Sequence, residues 1–328
     1  MIPAIVNAVI VPPLLALLVS SAVIALLIRT RAAALALDHP SQRSLHATPT
    51  SRLGGIGIVA GVAVAWWYAG VTVESWLIIG LTVLVAVSLL EDLRGVPVLL
   101  RLAIHLLAAL LAATVLFRPG FDPWYILAAA IATAWMTNLY NFMDGSDGLA
   151  GGMAAFGFGS YGVAALLGGD FSFAAFNLSI AAAAGGFLVF NFPPAKVFMG
   201  DVGSIPLGYL AAVYDISGWL RGNWPVWFGI VVFSPFIVDA SYTLLKRLLR
   251  GAKVWQAHRE HYYQRLVQSG WGHRKTALGE YALMILCSSL AIAGIGQEQS
   301  LQIGVLIAVA LLYSALIITL EYSLSRHA

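Results

Sequence analysis

Long apolar runs alternate along the chain with short polar segments. A helix needs roughly 17 to 25 mostly apolar residues to cross the hydrocarbon core of a bilayer, so the pattern predicts an all-α, polytopic membrane protein with about eleven transmembrane helices. The predicted spans are 3–28, 54–70, 75–91, 98–116, 124–141, 149–167, 173–192, 204–220, 224–246, 276–294 and 301–321. The spans at 149–167 and 173–192 are rich in Ala and Gly, which favours close helix packing in lipid.

The composition agrees with a membrane protein. Apolar residues make up 60% of the 328 residues and charged residues only 10%, whereas a typical soluble domain has about 25% charged residues. No segment has the composition of a soluble domain, so we treat residues 1–328 as a single transmembrane domain. The single cysteine, Cys287, excludes an intramolecular disulfide and a thiolate metal cluster. We expect membrane lipid, and no nucleic acid, among the partners.

The basic residues predict the orientation, because Lys and Arg concentrate in the cytoplasmic loops of membrane proteins. With the N-terminus outside, all of the 18 Lys and Arg residues except Arg118 and Arg221 fall on one side. An odd number of spans then places the C-terminus in the cytoplasm. The cytoplasmic face would carry five polar loops, near residues 29–53, 92–101, 141–148, 193–204 and 246–275.

The segment Asn138–Leu149 brings acidic residues directly after an apolar run. Acids at the end of a hydrophobic helix are costly unless a metal, a cationic ligand or water compensates them. Asp144 and Asp147 lie three positions apart and share a face if the helix persists, whereas the glycines beside them re-aim both if it ends. Asn141 can supply an uncharged oxygen ligand. A polar helix terminus is the alternative interpretation.

Two further cytoplasmic segments carry acids of the same kind. Glu91 and Asp92 end one predicted span, and Asp201 precedes another. Mg²⁺ prefers oxygen ligands and is usually held by one or two carboxylates together with substrate phosphates. Acids on three loops at one membrane face therefore predict a shared Mg²⁺ or phosphate site; Glu91 and Asp92 alone would equally be a solvated helix end. Phe198 suits stacking of a nucleobase or anchoring at the membrane interface.

The segment His258–Arg265 is the densest polar cluster. Histidine can carry a proton near neutral pH and arginine can clamp phosphates; the alternative is a solvated basic loop attracted to anionic lipid headgroups. Asp239 lies inside a predicted span and is expected to be a partner of this cationic loop, whereas Asp215 has no evident partner. We expect the remaining histidines singled out here to be interfacial or packing residues: His46, His105, His273 and His327.

These motifs resemble the polyprenyl-phosphate N-acetylhexosamine-1-phosphate transferase superfamily, the glycosyltransferase family 4-like enzymes. The resemblance extends over nearly the whole chain. Its five ordered blocks are Arg43-Ser-Leu-His46 with Pro49 and Gly54-Gly55, Glu91-Asp92, Asn138 to Gly148, Pro194 to Ser204, and Arg259 to Leu266. Among the branches, the chain is most similar to bacterial O-antigen-initiating transferases that use UDP-N-acetylfucosamine, UDP-N-acetylquinovosamine or UDP-N-acetylglucosamine.

The resemblance implies three sets of site residues. The metal ligands, for Mg²⁺ or alternatively Mn²⁺, would be Asp201 and Asn141. The substrate-binding residues would be Asp147 and Phe198 at the uracil, Arg101 and Arg259 at the pyrophosphate, and also Lys196 and Asn138. The catalytic residues would be Asp92, Glu91, Asp144 and His261. Asp92 would either act as a general base that deprotonates the lipid phosphate or orient that phosphate.

Two positions depart from the family's pattern. Glu91 stands where the family usually has Asp. Tyr262, Tyr263 and Gln264 follow His261, where the family usually has further histidines. Both departures weaken the case for Glu91 or this loop as an indispensable proton carrier.

The resemblance implies an enzyme of the bacterial inner membrane whose active site faces the cytoplasm. It would transfer N-acetylhexosamine 1-phosphate from a UDP-sugar to undecaprenyl phosphate, giving undecaprenyl-diphospho-sugar and UMP, the first membrane step of O-antigen or another cell-surface polysaccharide. A homodimer is left open. The alternatives are a secondary transporter, which would place its acids near the bilayer midplane, and a lipid-binding homologue that has lost activity.

Overall fold

The computed structural model describes residues 7–40, 44–46, 48–70, 73–117, 121–253, 256 and 258–325. Within these ranges the regular secondary structure is helical apart from one sheet of two short strands, and turns and loops connect these elements. The first residues of the predicted span 3–28 lie outside the described residues, as do Arg43, Arg118, Arg326 and His327.

Thirteen α-helices follow one another through the described part of the chain. They are α1 (Val11–Arg29), α2 (Gly54–Tyr68), α3 (Ser75–Arg94), α4 (Val98–Leu116), α5 (Pro123–Phe142), α6 (Leu149–Leu167), α7 (Phe171–Asn191), α8 (Asp201–Leu220), α9 (Phe228–Val232), α10 (Ser234–Leu249), α11 (Tyr262–Leu266), α12 (Gly272–Ala293) and α13 (Gln299–Ser325). A 3-10 helix (Arg31–Ala36) leads from α1 into β1 (Leu37–Asp38), which pairs antiparallel with β2 (Thr50–Ser51).

Seven helices in the described residues are long and apolar enough to cross a membrane: Asn7–Arg29, α3, α4, α6, α7, Tyr262–Ala293 and α13. The prediction of an all-helical, polytopic membrane protein is confirmed. The seven are fewer than the eleven predicted spans, for physical reasons. Helix α2 has only 15 residues, α5 and α8 are less apolar because they carry polar side chains, and the predicted span 224–246 is interrupted between α9 and α10, next to Pro235.

Helices α6 and α7 pack against each other at the centre of the bundle. Most residues of α6 are buried, and its Gly and Ala positions let neighbouring backbones approach closely. The space that remains is filled by aromatic side chains such as Phe158, Tyr161 and Phe187, all almost completely buried. Around this centre, α1 packs on α2 and α7, and α8 packs on α3 and α5. The close packing predicted from the small residues is confirmed.

Many helix ends meet at one end of the bundle. Helices α3, α5, α7 and α10 finish there, while α2, α4, α6, α8 and α12 begin there. Hydrogen bonds join their connecting segments to each other and to β2. At the opposite end, Asp215 accepts hydrogen bonds from the Gly229 N–H at 3.0 Å and the Trp224 indole N–H at 3.2 Å. These are the partners of Asp215 that the sequence did not reveal.

Candidate active site

A cavity of about 600 Å³ lies where these helix ends meet. Five of the predicted site residues line it: Asn141, Asp144, Asp147, Phe198 and Asp201. Its walls also include Asp38, His46, Arg52, His258, Gln264 and His273. The lining is therefore rich in carboxylates, imidazoles and amides, although the helices that carry it are largely apolar.

The turn after α5 places the first two acids. Helix α5 ends at Phe142, so the acids do not share a helix face; the glycine-directed alternative is the one observed. Gly148 adopts a left-handed conformation, with φ +77°, and α6 starts directly after it, a geometry that glycine adopts at little cost. The Asp147 carboxylate accepts a hydrogen bond from the Ala195 N–H at 3.0 Å, which ties this turn to the segment after α7.

The segment before α8 pairs with the chain around β2. The Phe198 N–H donates to the Ser51 carbonyl at 2.7 Å, and the Gly54 N–H donates to the Phe198 carbonyl at 2.9 Å. This pairing holds the half-buried Phe198 ring in the cavity wall. The ring of His46 meets it edge-on, with the ring centroids 4.9 Å apart. An aromatic ring presented in a polar cavity suits stacking of a nucleobase.

Asp201, the first residue of α8, is the centre of the polar network. Its two carboxylate oxygens accept hydrogen bonds from Arg101 Nη1 at 2.9 Å and from Asn141 Nδ2 at 2.8 Å. The same Arg101 nitrogen lies 3.2 Å from Glu91 Oε1, so Glu91 holds the guanidinium from the other side. Asn141 also donates to the Ser204 hydroxyl at 2.9 Å. Side chains from α4 and α5, which are distant from Asp201 in sequence, thus converge on its carboxylate.

Asp92 accepts hydrogen bonds from the start of the helix that carries Asp201. Its oxygens accept hydrogen bonds from the backbone N–H groups of Asp201 at 3.1 Å and Val202 at 2.9 Å. Asp92 is only 8% exposed and is not among the residues that line the cavity. The first N–H groups of a helix have no partner within the helix, and a carboxylate placed there accepts hydrogen bonds from them. The negative charge of the carboxylate also interacts favourably with the positive end of the helix dipole. Asp92 thereby fixes the first turn of α8 and the direction of Asp201.

Asp144 differs from the other acids, because no described residue gives its carboxylate a hydrogen bond or an ion pair. Burial raises the pKa of Asp144 well above its usual range, and the nearby charges of Asp201 and Asp92 raise it further. Such a group of carboxylates attracts a cation. The described residues form no ready cluster of three or more His, Cys, Asp or Glu metal ligands. However, the Asp144 and Asp201 oxygens and the Asn141 amide oxygen provide hard donors that fit Mg²⁺.

The loop between α10 and α12 closes another wall through His258 and Gln264. Burial, together with the nearby His261 and Arg247, lowers the pKa of His258 to about 4, so its ring is neutral at neutral pH. His261 lies behind this wall, 97% buried, with its Nδ1 atom 3.5 Å from Asp239 Oδ1. Asp239 also accepts hydrogen bonds from the backbone N–H groups that begin α11. It is thus the partner of this loop that the sequence suggested.

Four predicted substrate-binding residues lie outside the cavity lining. Arg101 contacts the site only through Asp201, and the other three are Lys196, Arg259 and Asn138. The side chains of Lys196 and Arg259 are exposed at the surface. Asn138 lies one helical turn before Asn141, where its Oδ1 atom is 3.1 Å from His105 Nδ1 and its Nδ2 atom donates to the Ala134 carbonyl. The structure therefore brings the acids, Phe198 and Asn141 together directly, and brings Glu91, Asp92 and Arg101 to them through Asp201.

His46 and His273 both line the cavity, although the sequence interpretation placed them among interfacial or packing residues. The contacts of His273 are the more extensive. Its Nδ1 atom is 3.2 Å from the Asp147 backbone N–H, which can only donate, so Nδ1 accepts and the ring proton is on Nε2. Nε2 then donates to the Leu45 carbonyl at 3.1 Å. His273 thus joins the Asp147 turn to the segment before β2. The available sequence signal was its place at the start of an apolar run that follows a basic loop.

The sequence was compared with protein families and with curated proteins. Residues 75–218 match the model of the family described as glycosyl transferase family 4. The chain is 32% identical over 282 residues to a phospho-N-acetylmuramoyl-pentapeptide-transferase of Geobacillus kaustophilus, covering 77% of this chain and 85% of that protein.

Two further relatives have related names. A probable undecaprenyl-phosphate N-acetylglucosaminyl 1-phosphate transferase of Bacillus subtilis is 28% identical over 78% of this chain and 76% of its own length. A decaprenyl-phosphate N-acetylglucosaminephosphotransferase of Mycobacterium tuberculosis is 29% identical over 74% of this chain and 72% of its own length. The matched family segment runs from α3 to α8 and so includes the Asp92, Asp144, Asp147 and Asp201 carboxylates. This chain belongs to glycosyl transferase family 4.

Proposed function

We propose that this protein transfers N-acetylhexosamine 1-phosphate from a UDP-sugar to undecaprenyl phosphate, giving undecaprenyl-diphospho-sugar and UMP. The observation that carries the proposal is the convergence of Asp144, Asp147, Phe198 and Asp201 on one cavity at an end of an apolar helix bundle. A water-soluble nucleotide sugar and a lipid phosphate can meet only at such a boundary. The names of the relatives, all of which specify transfer of a phosphorylated sugar group and two of which name a polyprenyl phosphate, support the same reaction.

The protein's main task in this reaction is to hold several negative phosphates together. Phe198 stacks on the uracil, and Asp147 accepts a hydrogen bond from its edge. Asp144, Asp201 and Asn141 would hold Mg²⁺, or Mn²⁺ as the alternative ion. Bound there, the ion would supply positive charge to neutralise the diphosphate and stabilise the leaving group. Arg101, positioned by Glu91, adds positive charge beside Asp201.

In the chemical step, an oxygen of the lipid phosphate bonds to the phosphorus that carries the sugar. The bond from that phosphorus to the bridging oxygen breaks, and UMP leaves with this oxygen. The lipid phosphate is already ionised at neutral pH, so no base is needed to activate it. Both oxygens of Asp92 are occupied by backbone N–H groups; we therefore assign Asp92 the positioning of Asp201, and His261 the support of the neighbouring wall.

We further propose that the chain has eleven spans, with its N-terminus outside and its C-terminus and active site in the cytoplasm of a bacterium. Two observations support this orientation. The helices alternate in direction so that their polar connections gather at one end, and that end carries most of the basic residues. The product would begin a cell-surface polysaccharide such as O-antigen, with N-acetylglucosamine, N-acetylfucosamine or N-acetylquinovosamine as the sugar.

The test is turnover by the purified, detergent-solubilised protein. Undecaprenyl phosphate, Mg²⁺ and each of the three UDP-sugars are supplied, and UMP release is followed. We expect release with one sugar, loss of release with EDTA, and no release by Asp201→Asn protein that remains folded. UDP-sugar binding without release by the wild-type protein would instead identify an inactive homologue. The absence of both binding and release would refute the proposed function.

A further inference from the structure

Tyr263, in the short helix α11, is completely buried. The backbone holds it in place, because its N–H donates to Asp239 Oδ2 at 3.0 Å. Its ring lies nearly parallel to the His261 ring, at 12°, with the centroids 5.9 Å apart. The side chain therefore has one defined direction, which leads from α11 towards the turn after α5.

The Tyr263 hydroxyl contacts both ends of that turn. It donates a hydrogen bond to the Phe142 carbonyl, the last of α5, at 3.1 Å. The same oxygen interacts with the backbone amide of Gly145. Between these two residues lies Asp144, whose own carboxylate has no hydrogen-bond or ion-pair partner among the described residues. One hydroxyl thus closes the turn that carries the unpaired acid.

The absence of a side chain at Gly145 leaves space for this hydroxyl. A Cβ atom built on Gly145 would overlap the Tyr263 hydroxyl oxygen and would lie 3.2 Å from the ring carbon that bears it. Gly145 has a negative φ, since it is not among the glycines with positive φ, so its backbone conformation does not require glycine. The space taken by Tyr263 does require it. The two positions are therefore coupled sterically as well as by hydrogen bonding.

We propose that Tyr263 is a positioning residue that fixes the Asp144 carboxylate for metal binding, an inference that rests on the proposed function. Through its ring and its backbone, the same residue connects the Asp144 turn to His261 and Asp239. The wall formed by the loop before α12 and the acid of the metal site are thereby held as one unit. The position of Asp144 depends on the backbone of this turn, because no described residue contacts its carboxylate through a hydrogen bond or an ion pair.

The first test is Tyr263→Phe, which removes the hydroxyl and leaves the Phe142 carbonyl without its partner. The loss of one such bond should lower kcat and weaken Mn²⁺ affinity by about tenfold each. The KM for the UDP-sugar should change less than about twofold. Mn²⁺ affinity is measured by electron paramagnetic resonance on the purified protein without substrate. Wild-type kcat and Mn²⁺ affinity in Tyr263→Phe would overturn the proposal.

Tyr281→Phe is the matched control. The Tyr281 hydroxyl donates to the Gly148 carbonyl at 2.7 Å, so the same type of bond is lost at the other end of the same turn, next to Asp147. This variant should raise the KM for the UDP-sugar and leave Mn²⁺ affinity at the wild-type value. If both variants weaken Mn²⁺ binding equally, the tyrosines merely stabilise the turn in general, and the specific role of Tyr263 is refuted.

A double variant distinguishes the loss of this contact from a general loss of folding. Gly145→Ala alone should abolish Mn²⁺ binding and lower the melting temperature, because the new methyl group meets the hydroxyl. Tyr263→Phe in the same protein should partly restore both. Additive losses in the double variant would contradict the coupling. If wild-type protein turns over no UDP-sugar, the proposed function fails, whereas the Mn²⁺ affinities and melting temperatures still decide the role of Tyr263.

Discussion

Replacement of Asp92 by asparagine separates a positioning carboxylate from a general base. The substitution removes the negative charge and places an NH₂ group opposite one of the two backbone donors at the start of α8. A buried backbone donor left without its acceptor costs about 1–3 kcal/mol. Because the NH₂ group cannot accept, we expect Asp92→Asn to lower the free energy of unfolding by about 1–3 kcal/mol.

The functional loss follows from the same geometry. Asp201 is carried on the helical turn that Asp92 caps, and a displacement of about 1 Å at a reacting centre can lower the rate about 100-fold. Thermal unfolding in detergent and UMP release are measured on the same preparation. Asp122→Asn is the matched control. Asp122 accepts a hydrogen bond from the Trp124 N–H at 3.0 Å at the start of α5, but it is exposed at the opposite end of the bundle.

The control should lose about 1 kcal/mol or less of stability and keep full turnover. A general base would give a different pattern in Asp92→Asn: turnover about 10²–10⁴-fold lower with the melting temperature unchanged. That outcome would refute the positioning argument. Normal stability together with normal turnover would refute both roles.

Three further outcomes are expected. Asp144→Asn should raise the melting temperature of the metal-free protein at neutral pH, because the raised pKa of Asp144 means that its ionised form is unfavourable in the folded state. The same substitution should abolish the stabilisation by added Mg²⁺. A lower melting temperature of the metal-free variant would contradict this reasoning. Phe198→Ala should raise the KM for the UDP-sugar at least about fivefold, since stacking on a base contributes about 1–3 kcal/mol, whereas Phe198→Tyr should retain most of the affinity. His258, with its pKa lowered from 6.5 to about 4, binds protons more readily when unfolded, so stability should fall as the pH is lowered from about 6.5 to 4, and a pH titration of His258→Asn should show a smaller fall.

The helices were predictable where apolar runs were long and uninterrupted. The limits of α4 and α6 agree with the predicted spans 98–116 and 149–167, because proline or glycine stands at or beside their ends. Hydropathy could not show that the span 224–246 is interrupted after Phe233. Such a break requires no change in composition, so it is not visible in an apolar run. The packing of neighbouring helices determines where the break occurs.

The site was predictable where its chemistry is concentrated in a motif. Asp144, Asp147, Phe198 and Asp201 lie in dense polar segments and meet in the cavity as expected. The roles of isolated residues depend on contacts between distant loops, which one sequence does not contain. His273 was therefore missed although it binds the Asp147 turn, and exposed Arg259 was assigned to the substrate although it lies outside the cavity lining.

Helices α5 and α8 carry much of the site and are less apolar than the seven helices that could cross a membrane by themselves. They pack against each other, α5 also packs on α4, and α8 also packs on α3. A helix that lipid alone does not accept readily needs protein neighbours to enter the bilayer. During biosynthesis, α5 should therefore be retained in the membrane only together with α4, and α8 should enter only after α3 and α5. Substitutions on the lipid-facing side of α4, far from any substrate, would then reduce the amount of inserted enzyme while the molecules that do insert keep full activity.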